Sequence, residues 1–130
     1  MSKREIVSTR NAPSAIGPYS QAVRGGGMLF LSGQLGIDPA SDKLVKGIGE
    51  QTKQALENIK AILEAAGSSL DKVVKTTVLL KDMDNFNTMN KIYANYFPKD
   101  FPARCCVEVR KLPHKAEIEI EAIALCKEDV

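Results

Sequence analysis

The chain has one histidine, three cysteines and few aromatic residues, at 5% of 130 residues. Each shortage excludes a class of chemistry. With His114 as the sole histidine, one chain cannot supply the paired histidines of an acid–base ribonuclease, nor the mixed Cys/His sets that hold zinc. No CxxC spacing occurs, and Cys105, Cys106 and Cys126 fall in strand-like segments, which suits buried, reduced thiols in a cytosolic protein. The few aromatics leave little to stack on bases. The net charge of +2 is scattered along the chain, so it does not announce a nucleic-acid partner. No apolar run reaches the ~20 residues of a membrane span, so no membrane association is expected. The first seven residues lack the apolar core of a secretory signal. They are compatible with a short mitochondrial presequence, although Glu5 argues against one. The expected compartment is the cytoplasm, with a mitochondrial pool left open.

What is present reads as one soluble globular domain over residues 1–130, with 44% hydrophobic residues and a mean hydropathy of −0.15. Residues 4–8 form a short edge strand. The stretch 11–18, with two prolines and a glycine, is a loop. Strands over 19–23 and 28–32 are joined by Gly25-Gly26-Gly27 as a hairpin; no helix or Lys-Ser/Thr follows those glycines, which rejects a phosphate loop. Residues 33–49 are loop-like, with a turn at Asp38-Pro39. The clearest helix spans 50–66, with Leu56, Ile59, Ile62, Leu63 and Ala66 on one stripe and Gly67 as its stop. The β-branched run 73–80 is a strand. Asp84 caps a second helix bearing Phe86, Met89, Tyr93 and Phe97, which Pro98 ends. Strands over 104–110 and 117–126 close the chain.

Two amphipathic helices can cover one face of such a sheet but not both, so the pattern predicts an α+β two-layer fold with both helices on one face. The last strand locates the other face. Ile118, Ile120, Ala122, Ala124 and Cys126 suit the helix layer, whereas Glu117, Glu119, Glu121, Ile123 and Leu125 share the open side. Isoleucine and leucine in open mid-sheet call for a cover. A second copy of the chain gives a homo-oligomer; the 33–49 loop is the alternative cover.

Few side chains are placed for chemistry. His114 follows Pro113 in a polar loop with no orienting partner nearby, so an exposed loop residue is the favoured reading over a catalytic one. Asp82 and Asp84 suit a helix start rather than a metal site, and no metal is expected. Arg104 enters a strand that should be largely buried. It is either half of a structural ion pair with Glu119 or Glu121, or a bidentate clamp for a carboxylate ligand. The glutamates are either a solvated strand face or a base raised by partial burial. Spacing leaves these contests even.

The segments Ala15-Ile16-Gly17-Pro18-Tyr19-Ser20-Gln21-Ala22, Leu31-Ser32-Gly33-Gln34, Val74-Lys75-Thr76-Thr77-Val78, Phe101-Pro102-Ala103-Arg104 and Ile118-Glu119-Ile120-Glu121-Ala122 resemble the reactive intermediate deaminase A (RidA/YjgF) family, in the same order from near residue 5 to residue 126. The resemblance implies a chorismate-mutase-like fold, sheets packed inward in a homotrimer, and active sites in clefts between subunits. It implies hydrolysis of short 2-imino acids, such as 2-iminobutanoate and 2-iminopropanoate, to 2-oxo acids and ammonia, without cofactor or metal. These imines arise from enamines released by pyridoxal-phosphate dehydratases, so the role is metabolite damage control. By motif, Arg104 would hold the substrate carboxylate and Glu119 would position or activate water. Tyr19, Ser32, Asn90 and the Cys106 backbone would line the pocket, Asn90 on its helix position alone. Cys105 stands where relatives have small residues, and Lys111 where they are less basic; neither displaces a site residue. Two other readings use the same chain: a carboxylate-sensing or chaperone-like module, and an RNA-directed role, which the modest charge and the lone histidine support weakly.

Overall fold

A computed structural model describes residues 3–127 of the chain. Its elements in order are β1 (Glu5–Val7), β2 (Ala22–Gly25), β3 (Met28–Leu35), β4 (Ile37–Asp38), β5 (Lys43–Leu44), α1 (Ile48–Ala65), β6 (Val73–Leu80), α2 (Phe86–Tyr96), β7 (Ala103–Glu108) and β8 (Ile118–Leu125). Six strands form one sheet in the order β1-β2-β3-β8-β6-β7, and β4 and β5 make a separate hairpin. All sheet neighbours are antiparallel except β6 and β7, which α2 joins as a parallel pair.

The helices lie on one face, as their periodicity predicts. Leu56, Ile59, Ile62 and Leu63 of α1 are fully buried against Leu29, Ile118, Ile120 and Ala124 of the sheet. Each such side chain contributes about 1.5–3 kcal/mol by leaving water. The end of α1 is closed by a Schellman pair, with the Gly67 N–H donating to Glu64 O and the Ser68 N–H to Leu63 O. Gly67 takes the left-handed φ of 77° that this closure requires. Arg24 adds a donor to the Ala66 carbonyl at 2.6 Å and an ion pair to Glu5 at 3.4 Å. At its other end α1 lies directly on Gly36, where an added Cβ would sit 2.6 Å from the Gln51 Cα. Asn58, fully buried, donates to the Leu35 and Ile37 carbonyls and fixes β4 to the helix.

Several boundaries differ from the sequence expectation. The hairpin at Gly26-Gly27 is as predicted, with φ of 58° and 75° at its two central residues. The strand expected over 19–23 begins only at Ala22. Tyr19 to Gln21 belong to the preceding loop, because the Gln21 side chain turns back to accept from the Thr9 N–H and donate to the carbonyls of Thr9, Ala12 and Pro13. The 33–49 segment is not all loop: β3 runs on to Leu35 and the β4–β5 hairpin turns at Asp38, whose carboxylate accepts from the Ala40 N–H. The cap before α2 is Asp82 rather than Asp84. It accepts from the Asp84 N–H and opens a short turn over Met83–Asn85 that feeds the helix. The second helix carries Met89 and Tyr93 into the core as expected.

The largest correction concerns the arginine strand. β7 is an exposed edge strand, since it pairs with β6 alone. The three thiols are accordingly not buried: Cys105 is exposed, and Cys106 and Cys126 are half-buried. The open face of the sheet carries a continuous paired row, Ile6–Val23–Phe30–Ile123, with Ile6 59% and Phe30 48% exposed. Residues 33–49 do not cover that row: α1 binds Gly36 and the β4 end of the segment on the helix side. No helix among the described residues is long and apolar enough to cross a membrane.

Candidate functional site

The expected site residues fall into two groups, on opposite faces of the sheet. The first group surrounds Glu119. Alternation along β8 buries Ile118 and Ile120 under the helices and turns Glu119 to the open side. Opposite it, β3 carries a bulge: Leu31 pairs with Ala122 and Gln34 with Ile120, which leaves Ser32 and Gly33 together facing Glu121. The bulge bends β3 around the Glu119 side chain. An alanine Cβ at Gly33 would lie 2.8 Å from both Cδ and Oε1 of Glu119, so the carboxylate rests on bare glycine backbone.

Ser32 is fixed next to it. Its hydroxyl donates to the Ser20 carbonyl at 2.6 Å and its N–H donates to Gln21 O. Those bonds tie β3 to the loop that presents Tyr19, which is 53% exposed and whose N–H closes a tight turn on Gly17 O. Tyr19, Ser32, Gly33, His114, Glu119 and Glu121 share an open cleft of about 560 Å³. His114 is exposed, as expected of a loop residue, yet the left-handed φ of 59° at His114 and of 58° at Lys115 brings it to the cleft wall. Burial holds the Glu119 carboxyl above the usual carboxylate range, and the charge of Glu121 adds to the effect. A carboxylate of this kind is a stronger proton acceptor than an exposed one.

The second group surrounds Arg104. Arg104 is in register with Thr76, Thr76 with Ala122, and Ala122 with Leu31, a row that faces the helices. The guanidinium therefore lies on the α2 side of the sheet edge. Its Nη1 donates to Asn90 Oδ1 at 2.8 Å. Its carbon sits 4.9 Å from the centre of the Tyr93 ring and 5.5 Å from that of Phe86. Cys106, two residues on, faces the same side; burial pushes its thiol up, against a downward pull from Arg104.

This geometry bears on the ion-pair reading of Arg104. Neither Glu119 nor Glu121 forms an ion pair with Arg104, which spends one donor on a neutral amide and keeps Nε and Nη2 without a partner among the described residues. It also separates the two groups. β6 lies between β7 and β8, roughly 9–10 Å across, and Arg104 and Glu119 point from opposite faces. Tyr19, Ser32 and Glu119 come together; Asn90, Arg104 and Cys106 come together; one chain does not join the two sets. Among the described residues no cluster of three or more His, Cys, Asp or Glu side chains is arranged to hold a metal ion.

Sequence reasoning missed Gly33 as the seat of Glu119, Gln21 as the anchor of the Tyr19 loop, and the aromatic pair beneath Arg104. Gly33 had a readable cue, because a glycine inside a strand pattern marks a bulge or a close approach. The other two depend on contacts between segments distant in sequence.

Comparison with known proteins places these groups in context. The family model described as Endoribonuclease L-PSP matches residues 9–126. A RutC family protein of Pyrococcus horikoshii is 58% identical over 122 residues, covering 93% of this chain and 97% of its own. The 2-iminobutanoate/2-iminopropanoate deaminase of Homo sapiens is 53% identical over 123 residues, covering 94% of this chain and 90% of its own. Among solved structures, E. coli TdcF with bound serine superimposes with a TM-score of 0.91 at 40% identity, covering 95% of this chain and 99% of its own.

Proposed function

The chain belongs to the Endoribonuclease L-PSP (YjgF/RidA) family, and from that premise we propose that it is a 2-iminobutanoate/2-iminopropanoate deaminase. The observation that carries the reading is the Glu119 carboxylate, seated on Gly33 in a cleft and raised by burial, in a chain 53% identical to a human protein of that name. An imine needs little more than this. Its C=N carbon is already electrophilic, so a held substrate and a positioned water suffice. Glu119 takes a proton from water as the oxygen bonds to the imine carbon and the C=N electron pair moves to nitrogen. Glu119 passes that proton to the nitrogen, giving a neutral carbinolamine, and then relays the hydroxyl proton to the amino nitrogen as the C–N bond breaks, so that ammonia leaves and a 2-oxo acid remains. Ser32 and Tyr19 line the same wall and orient the substrate there.

Arg104 holds the substrate carboxylate through its unpartnered Nε–H and Nη2–H edge, as a fork-shaped donor can. Asn90 and the Cys106 backbone complete that half. Because Arg104 and Glu119 lie on opposite faces of one sheet, we place the working site between copies, with Arg104 from one and Glu119 from the next, in a homotrimer. The exposed row Ile6–Val23–Phe30–Ile123 on the open face supports the same assembly.

Two measurements test this. With 2-iminobutanoate generated by a dehydratase and 2-oxobutanoate release as readout, Arg104→Ala is expected to lose at least about a hundredfold in kcat/KM; unchanged turnover ends the assignment. Arg104→Ala and Glu119→Gln chains, each inactive alone, are then denatured together and refolded. Random assembly gives intact Arg104/Glu119 pairs in roughly a quarter of the sites. If no activity returns, the shared site is wrong even where the deaminase reading survives. RNA cleavage that persists in Arg104→Ala and falls with added salt would instead favour an RNA-directed role.

A further inference from the structure

The guanidinium of Arg104 is held by more than Asn90. It lies against two aromatic rings of α2, with its central carbon 4.9 Å from the Tyr93 centroid and 5.5 Å from the Phe86 centroid. Both distances are within cation–π range. Tyr93 cannot drift, because its hydroxyl shares a 2.8 Å hydrogen bond with the buried Thr76 hydroxyl and its ring packs on Phe97 at 4.7 Å. Thr76 is also the register partner of Arg104 across β6 and β7. The platform under the guanidinium is thus bolted to the strand beside the one that carries it. Phe86 occupies the first turn of α2, one turn before Asn90, so one helix supplies two rings and one acceptor.

We propose that Phe86 and Tyr93 are positioning residues for the carboxylate of the substrate: they hold the Arg104 guanidinium in one orientation, with its Nε–Nη2 edge left free for that carboxylate. With Nη1 engaged by Asn90 and rings against the guanidinium, that edge keeps both of its donors without a partner among the described residues and offers two parallel hydrogen bonds. A flexible arginine side chain without the rings would sample other rotamers and bind the anion with a larger entropic loss. The selected ligand is a small monocarboxylate presented edge-on. This inference rests on the reading of Arg104 as the carboxylate clamp.

The probe is 2-oxobutanoate, a stable carboxylate, titrated calorimetrically into wild type, Arg104→Ala, Phe86→Leu and Phe86→Tyr, with deaminase kinetics run alongside. Phe86→Leu is expected to raise the Kd about two- to fivefold, the range of an exposed cation–π contact. KM should rise by the same factor, with kcat changing less. Phe86→Tyr, which keeps a ring, should restore both. A merely structural role for Phe86 would instead lower the thermal midpoint of Phe86→Leu and reduce the number of binding-competent molecules without moving Kd. If Arg104→Ala loses binding while Phe86→Leu keeps the wild-type Kd, the aromatic platform is refuted and the clamp stands. If Arg104→Ala binds like wild type, the clamp fails and the platform with it.

Discussion

Gly33→Ala should separate catalysis from folding in this protein. The new methyl would lie 2.8 Å from the Glu119 Cδ and Oε1, and 3.0 Å from its Cγ. Carbon contacts settle at about 3.5–4.0 Å, so something must retreat by roughly 0.6–1 Å. The atoms in the way are the free end of one side chain, which rotates at little cost. Gly33 does not occupy the left-handed φ region, so alanine is conformationally acceptable there. Stability should therefore change by no more than about 1 kcal/mol, a thermal shift within roughly 4 °C for a chain of this size. Catalysis should suffer more. A displacement of this size between a base and its water costs about 10- to 100-fold, since misplacement by 1 Å can cost 10²-fold. Gly36→Ala is the contrasting variant. Its methyl would meet the Gln51 backbone at 2.6–2.8 Å, and a helix cannot step aside as a carboxylate can. Overpacking of that kind costs about 2–3 kcal/mol, a fall of roughly 6–12 °C. The assays are differential scanning calorimetry and dehydratase-coupled turnover on the same preparations. Wild-type kcat in Gly33→Ala would refute the placement of Glu119 as the working base. A melting loss equal to that of Gly36→Ala would refute the claim that the clash is confined to one side chain.

Three further predictions concern titration and strain. Burial and Glu121 raise the Glu119 carboxyl above its ordinary 4.5, so activity should fall as pH drops through that raised value, and Glu121→Gln should move the acid limb of kcat/KM to lower pH. The stability linkage has the opposite sense. A carboxyl raised on folding favours the fold fully only below its unfolded pKa, and that contribution is lost as pH rises through the folded value. Glu119→Gln should therefore gain stability over wild type at pH 7 and gain less at pH 4, read by urea unfolding at the two pH values; an equal gain at both would contradict the shift. Lys115 holds a left-handed φ of 58°, which costs a residue with a side chain about 1–2 kcal/mol. Glycine there gives back roughly 0.5–1 kcal/mol through its greater unfolded freedom, so Lys115→Gly should stabilise by about 0.5–1 kcal/mol in the same unfolding assay, and a destabilised variant would show that the loop is not strained.

The parts of the fold legible in the sequence are those set by local periodicity. The stripe Leu56, Ile59, Ile62, Leu63 placed α1, and the alternation in β8 assigned its two faces, as the burial of Ile118, Ile120, Ala122 and Ala124 confirms. The same alternation put Glu119 on the open side but did not say how far it is buried. What was not legible depends on pairing order. Consecutive strands left open an ion pair of Arg104 with Glu119 or Glu121, but β6 inserts between β7 and β8. The β-branched run of β6 says that it is central, not which neighbours it takes. The bulge at Ser32-Gly33 and the Gln21 clamp escaped for a related reason, since each exists to satisfy a partner distant in the chain. For β7 the composition misled: Cys105, Cys106 and Val107 look like a buried strand, yet an isolated chain leaves them at an edge.

That mismatch between composition and exposure bears on how the open face works. A strand whose composition suits burial but which is exposed in one chain fits the proposed packing against a neighbour. The open face is not uniform. At one end, Ile6, Val23, Phe30 and Ile123 form an unbroken apolar row across four strands. Towards the other end of β8, Glu121, opposite the Ser32-Gly33 bulge, and Glu119 replace the apolar side chains. A flat apolar row can close against a second copy and exclude water. A row of carboxylates resists the same closure, because each would be stripped of water without a partner. Docking driven by the apolar end therefore leaves the acidic end as a gap. That gap is bounded on one side by Glu119, and in the proposed assembly the next copy would present β7 to it, with the Arg104 Nε and Nη2 donors that have no partner among the described residues. In the proposed assembly, the gradient along one eight-residue strand would thus favour association while keeping the Glu119 cleft from being sealed by it.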